Sequence, residues 1–234
     1  MLGCRFLAAA PRAVARRMPV PGPVLFDLNG TLLDPRVIGR PWGGDQESLA
    51  LRALDDAVAA GMVATLTGSY RPFRELMGAA LARRVRLAGL DEGKLDDALG
   101  MTSRMPPYPE VPGALDALRS QGVRLAVLTN SATADGESVL ERAGLRDRFE
   151  LVTGTDQVEA FKPDPRVYRH GVDALGAQPG EVTLVAAHWW DVEGAKRAGL
   201  RTAWVARRER VLRSSVPEPD VRGEDLREVA VALA

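Results

Sequence analysis

Cysteine is almost absent from this chain: Cys4 is the only one in 234 residues. That excludes an intramolecular disulfide and any metal site built on thiolates. Net charge is absent as well. Lys+Arg and Asp+Glu both number 31, so the formal net charge is zero. Nothing in that balance points to nucleic acid as a partner. No apolar run reaches about 18 residues, so no membrane span is expected. What is present is enough apolar material for a core, at 46% of the sequence. The length suits one α/β domain carrying an insertion, or two small domains.

Met1–Met18 holds four arginines, several alanines and no acid. A basic, acid-free leader fits a targeting segment. The blander reading is a disordered extension, or a reading frame that begins upstream of Met18. The blander reading is preferred, which leaves the cytoplasm as the expected location.

The stretch that organises the rest is Val24-Leu25-Phe26-Asp27-Leu28-Asn29-Gly30-Thr31-Leu32-Leu33-Asp34. It reads as a buried strand, Val24–Leu28, that delivers Asp27 to its carboxyl end, with Gly30 turning the chain away. A carboxylate there can act as a nucleophile through an ester that water later cleaves. Equally, it can close an Asx turn on nearby backbone N–H groups. Between about Asp45 and Leu99 the pattern is helical, with Leu49, Leu51, Leu54, Ala57 and Val58 at three- and four-residue spacing. Met105-Pro106-Pro107-Tyr108-Pro109 is a stiff linker.

Beyond it strands and helices alternate. Helices are expected over Gly113–Ser120, Ala134–Ala143, Pro165–Gly176, Val192–Ala198 and Glu224–Leu233. Strands are expected over Val123–Thr129, Leu151–Gly154, Val182–Ala187 and Thr202–Ala206. This alternation implies a doubly wound parallel sheet, a Rossmann-like α/β core with an inserted helical cap domain. The expected division is an extension at 1–18, the core at 19–36 and 106–234, and the cap at 37–105.

Such sheets bind ligands at the carboxyl ends of their strands. Those ends carry Asp27, Asn29 and Thr31, then Thr129, Asn130 and Ser131, then Lys162-Pro163-Asp164, then His188, Trp189, Trp190 and Asp191. The chemistry assigns roles. Asp27 attacks, and Lys162 keeps both carboxylates ionised and orients the attacking oxygen. Thr129 and Asn130 donate hydrogen bonds to substrate, and Asp191 positions or deprotonates the water. Each motif also has a plain structural reading. Thr129-Asn130-Ser131 can open the next helix, Lys162-Pro163-Asp164 can be a surface turn, and the tryptophans can be core. His188, one of two histidines, can be a hydrogen-bonded, partly buried side chain rather than a base.

Phe26-Asp27-Leu28-Asn29-Gly30-Thr31-Leu32, Leu128-Thr129-Asn130-Ser131, Phe161-Lys162-Pro163 and Trp190-Asp191 resemble, in order and spacing, the four motifs of the haloacid dehalogenase superfamily. The resemblance spans about residues 22 to 230. Within the superfamily the chain looks most like the type II 2-haloacid dehalogenases. Phosphatases of the superfamily carry an acid where Asn29 stands and another four residues before Asp191, where Ala187 stands. Lys162-Pro163-Asp164-Pro165-Arg166-Val167-Tyr168 matches the dehalogenase pattern, including its tyrosine. Gly68-Ser69-Tyr70-Arg71-Pro72-Phe73 resembles a cap segment whose phenylalanine lines the substrate pocket beside the tryptophan matched by Trp190.

The resemblance implies hydrolysis of a small 2-haloacid with no cofactor and no metal. Asp27 would displace halide from C2 with inversion, and water would open the ester. Its catalytic set would be Asp27, Lys162, Asp191, Thr31 and Thr129. Substrate contacts would come from Asn29, Asn130, Tyr168, His188, Trp190, Phe73 and Arg52. Arg52 enters because the family's halide-holding cap arginine falls at Leu54, two residues away. The family also has an aromatic residue at Asn29, and a serine and an asparagine at Ala186 and His188. A magnesium-dependent phosphatase and a non-catalytic binder of a small acid are the alternative readings. The expected partner is a small molecule, with no nucleic acid or membrane, and a homodimer is possible.

Overall fold

The computed structural model describes residues 22–43 and 46–234. The expectation for the leader, residues 1–18, lies outside the described residues. Six parallel strands form one sheet: β1 (Val24–Phe26), β2 (Leu125–Thr129), β3 (Leu151–Gly154), β4 (Thr183–Ala186), β5 (Arg201–Val205) and β6 (Val221–Gly223). Their order is β3-β2-β1-β4-β5-β6. Phe26 lies opposite Val127 of β2 and Val185 of β4, so β1 is paired on both sides. All three of its residues are buried, as a continuous apolar run in a covered sheet should be. Leu25 and Phe26 point to opposite faces. Leu25 packs in the cluster with Tyr168 and Val172, and Phe26 in the cluster with Leu115 and Phe149.

Five helices cover the two faces: α4 (Val111–Ser120), α5 (Thr133–Arg142), α6 (Pro165–Ala174), α7 (Trp189–Arg197) and α8 (Leu226–Leu233). Three more, α1 (Glu47–Thr67), α2 (Phe73–Leu87) and α3 (Leu95–Met101), form the insert between β1 and α4. Among the described residues the insert contains no strand. In α1 the buried positions Leu49, Ala50, Ala53, Leu54, Ala57, Val58, Gly61 and Ala64 make one apolar stripe, and left-handed Gly68 ends the helix. The insert is fastened to the core at Phe161. Its N–H donates to Thr65 Oγ1 at 2.9 Å, and its ring stacks on Tyr70 at 5.2 Å. A Cβ at Gly61 would lie 3.0 Å from the same ring, so the close approach of α1 needs glycine there.

The structure corrects several expected boundaries. β1 ends at Phe26, two residues early, because Leu28 accepts the amides of Thr31, Leu32 and Leu33 in a tight turn. α7 begins at Trp189 rather than Val192, with His188 as its N-cap residue, so both tryptophans and Asp191 stand on its first turn. Pro35–Trp42 is a 3-10 helix, and β6 is a strand the sequence reading left out.

Candidate active site

The strand order reverses beside β1, and the crevice at a reversal opens at the strands' carboxyl ends. Asp27 follows directly on β1, and its N–H continues the sheet by donating to Val185 O at 3.0 Å. The next residues turn sharply through Gly30, whose φ is +86°. A Cβ there would come within 2.9 Å of His188 Nε2, so glycine serves both the turn and the histidine.

That turn aims Thr31 back at the carboxylate. Thr31 Oγ1 donates to Asp27 Oδ2 at 2.6 Å and accepts from the Ala187 N–H at 3.0 Å. Lys162 Nζ is the centre of the constellation. It donates to Asp27 Oδ1 at 2.8 Å, to Asp191 Oδ2 at 2.6 Å and to the Leu128 carbonyl at 3.0 Å. All three of its protons are used, and its side chain is 0% exposed. Lys162 is therefore no surface turn. The adjacent Asp164 does cap α6, accepting from Arg166 N–H.

The environments separate the two acids. Burial raises Asp27, but the Lys162 charge, His188 and the bonds from Lys162 and Thr31 outweigh it and leave its pKa below the ordinary value. Burial raises Asp191, aided by repulsion from Asp27, and here it outweighs the Lys162 ammonium. Burial lowers Lys162, yet the two carboxylates more than compensate and hold it charged. Asp27 is thus the ionised carboxylate and Asp191 the more basic one, a division that suits a nucleophile and a base.

The other expected residues fall into three groups. His188 joins the centre: Nε2 donates to the Asn29 carbonyl at 3.0 Å and lies 3.7 Å from Asp27 Oδ2. Its ring stacks on Trp190 at 5.2 Å and 9°. Asn29 reaches Ser131 Oγ at 3.4 Å through Nδ2, while its Oδ1 is buried with no partner.

A second group works behind the site. Tyr168 is fully buried and donates to Asp191 Oδ1 at 2.7 Å, so it braces that carboxylate from behind rather than facing the cavity. Asn130 Oδ1 accepts the Lys162 N–H at 2.9 Å, and Thr129 Oγ1 accepts the Ser131 N–H at 3.1 Å. Both brace the loops that carry the site, and neither starts α5, which begins at Thr133 after Ala132.

The third group concerns the insert. A cavity of about 210 Å³ lies between insert and core, with Asn29 and Ser131 on one side and Leu54, Phe73 and Met77 on the other. Phe73 lines the cavity, while Trp190, expected beside it, does not. Nor does Arg52: it is solvent-exposed on α1, while Leu54 lines the cavity. The helical period explains the correction, since two residues along an α-helix rotate a side chain by roughly 200°. The arginines that do line the cavity, Arg74 and Arg142, escaped the sequence reading because neither lies in a motif.

The donor set does not fit a divalent cation. Lys162 Nζ already bridges both carboxylates, and Ala187 offers only a methyl beside them. Among the described residues no group of three or more His, Cys, Asp or Glu side chains converges.

Residues 24–199 match the model of the haloacid dehalogenase-like hydrolases. The chain belongs to that family. Among its relatives, (S)-2-haloacid dehalogenase of Pseudomonas sp. (strain YL) is 33% identical over 217 residues, covering 88% of this chain and 91% of that protein. Phosphoserine phosphatase of Thermus thermophilus is 42% identical over a shorter stretch of 134 residues, 56% of this chain and 53% of that one. Among solved structures, L-2-haloacid dehalogenase from Xanthobacter autotrophicus with chloropropionic acid covalently bound superposes with a TM-score of 0.81. It is 28% identical, with 91% of this chain and 98% of that one covered. In this haloacid dehalogenase-like hydrolase the parallel sheet flanked by helices and the helical insert agree with the sequence pattern, apart from β6.

Proposed function

We propose that this hydrolase removes halide from a small 2-haloacid through an ester at Asp27 and releases the 2-hydroxy acid without a metal. The observation that carries the reading is Lys162, whose buried ammonium bridges Asp27 and Asp191. In the first step an Asp27 oxygen attacks C2, the carbon–halogen bond breaks, and halide leaves with the bonding pair. Displacement from the rear inverts C2. In the second step water adds to the Asp27 carboxyl carbon and gives its proton to Asp191. The ester C–O bond breaks as Asp191 returns that proton to the departing oxygen, the product keeps the former Asp27 oxygen as its hydroxyl, and the water oxygen stays on Asp27, whose remaining proton passes to solvent. Asn29 is tolerable because halide is a stable anion and needs no acid to depart.

Thr31 and Lys162 fix the nucleophile, Tyr168 fixes the base, and His188 faces the nucleophilic loop. The insert, residues 37–105, serves as the cap over the core. The partner is a small acid rather than nucleic acid or membrane, a homodimer fits the reading, and the cytoplasm is its setting. The relative with covalent chloropropionate supports the covalent route.

The test is halide release from 2-chloro-, 2-bromo- and 2-fluoro-acids in chelator, with Asp27→Asn as control. A single turnover in ¹⁸O-water, followed by mass analysis of the Asp27 peptide, identifies the ester. Release that survives chelation, with label on Asp27, supports the reading. Absence of release from every acid would sink it. A magnesium-dependent phosphatase is the second reading, favoured by the identity with phosphoserine phosphatase. It requires phosphate-ester cleavage that chelator abolishes.

A further inference from the structure

The cavity between insert and core is larger than the shortest 2-haloacids need. Its volume is about 210 Å³. At ~30 Å³ per water that is the space of about seven waters, and atoms bonded into one chain pack more closely than separate waters. Asn29 and Ser131 bring it up to the nucleophilic loop, and Ile38, Leu54, Phe73 and Met77 give it apolar walls. Two guanidiniums line it as well, Arg74 from α2 of the insert and Arg142 from α5 of the core. Both are solvent-exposed, which puts them at its mouth. Asp135 is the only acid in the lining, so the lining carries a net charge of +1.

The positions of these arginines are informative. Many others in the chain are paired, as Arg84 is with Asp56 and Arg208 with Asp55. Among the described residues neither Arg74 nor Arg142 has an ion-pair partner. Arg74 also stands in the first turn of α2, where a cation opposes the helix dipole. The helix therefore gives no reason for the charge. Leu54 keeps the cavity wall neutral, so the only cations lining the cavity are these two.

We propose that Arg74 and Arg142 form a subsite for a second anionic group of the substrate. The substrate class is then a 2-halogenated dicarboxylate rather than a short monocarboxylate. This rests on the dehalogenase reading for the identity of the 2-substituent. One carboxylate lies beside C2 near Asp27, the intervening methylenes lie along the apolar walls, and the distal carboxylate meets the guanidiniums. An anion held by one arginine from each part also ties the insert to the core.

Binding of unhalogenated acids tests the subsite without the chemistry. Butanoate, butanedioate, hexanoate and hexanedioate are titrated into the full chain by calorimetry. Hexanedioate is expected to bind about tenfold tighter than hexanoate, the size of a charge-assisted contact at a partly exposed site. Arg74→Gln and Arg142→Gln should each shrink that ratio by about threefold, and the double variant should abolish it. Raising the salt concentration should weaken hexanedioate and leave hexanoate nearly unchanged. Thermal unfolding of each variant verifies the fold. Equal binding of the two six-carbon acids to the native chain would overturn the proposal, as would a preference that persists in the double variant. Diacid preference without halide release keeps the subsite and removes the dehalogenase reading. Halide release without diacid preference does the reverse.

Discussion

Replacing Lys162 with methionine isolates what the ammonium does. Methionine nearly matches the lysine stem in length and carries no charge. In the native protein Lys162 makes three hydrogen bonds and two ion pairs, entirely out of solvent. Removing one partner of a buried charge pair costs about 3–5 kcal/mol, because the remaining charge is uncompensated. Here two carboxylates would be left facing each other, and a proton from solvent can relieve that strain. The cost must then depend on pH.

In the native protein the two acids act in opposite senses. Asp27 lies below its ordinary 3.8. It contributes stability that is present above 3.8 and lost as pH falls through its folded value. Asp191 lies above 3.8, so its contribution is lost as pH rises from 3.8 through its folded value. The two partly cancel. In Lys162→Met both carboxylates are pushed upward by burial and mutual repulsion, and the cancellation disappears. The variant should lose stability as pH rises above the carboxylate range, by up to about 1.4 kcal/mol per pH unit for one proton. Between pH 5 and pH 8 that bounds the effect at about 4 kcal/mol. Urea unfolding at several pH values measures it, with halide release followed in parallel. The variant should be nearest to the native protein in acid, weakest at pH 8, and inactive throughout. A difference that stays constant from pH 5 to pH 8 would refute the electrostatic account of the triad.

Other perturbations separate positioning from packing. Thr31→Val removes the 2.6 Å bond to Asp27 and leaves the Ala187 N–H unpaired. It should cost about 1–3 kcal/mol in chemical unfolding and slow ester formation; undiminished burst kinetics would contradict that role. Tyr168→Phe deletes only the hydroxyl that holds Asp191. It should cost about 1 kcal/mol of stability and make the ester at Asp27 accumulate, visible by mass spectrometry. Faster ester decay than in the native protein would argue against Tyr168 as the residue that fixes the base. Gly194→Ala places a Cβ 2.5 Å from both the Tyr168 hydroxyl and Pro163 Cβ. Overpacking of that kind costs about 1–3 kcal/mol, and it should displace the same tyrosine, so a fully active and stable Gly194→Ala protein would show the contact to be soft.

Much of this site could be read from the chain because strand ends are read easily. An apolar run that stops at Asp27, and another that stops at Thr129, state both the element and the residue it delivers. The sheet then brings the deliveries together without further information. β6 was harder to see. Val221–Gly223 is three residues long, with Arg222 exposed between a half-buried valine and a buried glycine, so it offers neither an apolar run nor a full alternation. The start of α7 was hidden for a different reason. Trp189 and Trp190 read by default as core residues, yet His188 turns the chain into a helix at once. The cap register failed at Arg52 because charge alone singled that residue out, whereas the helical period decides which residue faces inward. The arginines that do line the cavity come from two elements distant in sequence, α2 and α5, which no local pattern brings together.

The leaving group is what separates the two hydrolytic readings of one shared core. Cleaving a phosphate ester expels an alkoxide, which at neutral pH calls for a proton donor and for cations on the phosphoryl oxygens. Asn29 cannot act as that acid, and Ala187 adds no carboxylate to hold a metal. Two carboxylates sharing one lysine leave a net charge of −1 in the buried triad, a poor host for a phosphate dianion. Halide expulsion asks for less. The nucleophile must be ionised and aimed, which Lys162 and Thr31 accomplish, and the departing anion needs only a neutral or positive cavity. The cavity beside Asn29 has apolar walls and two guanidiniums against a single acid. The same electrostatics that disfavour a phosphoryl group at Asp27 therefore favour the loss of a small, stable anion into that cavity.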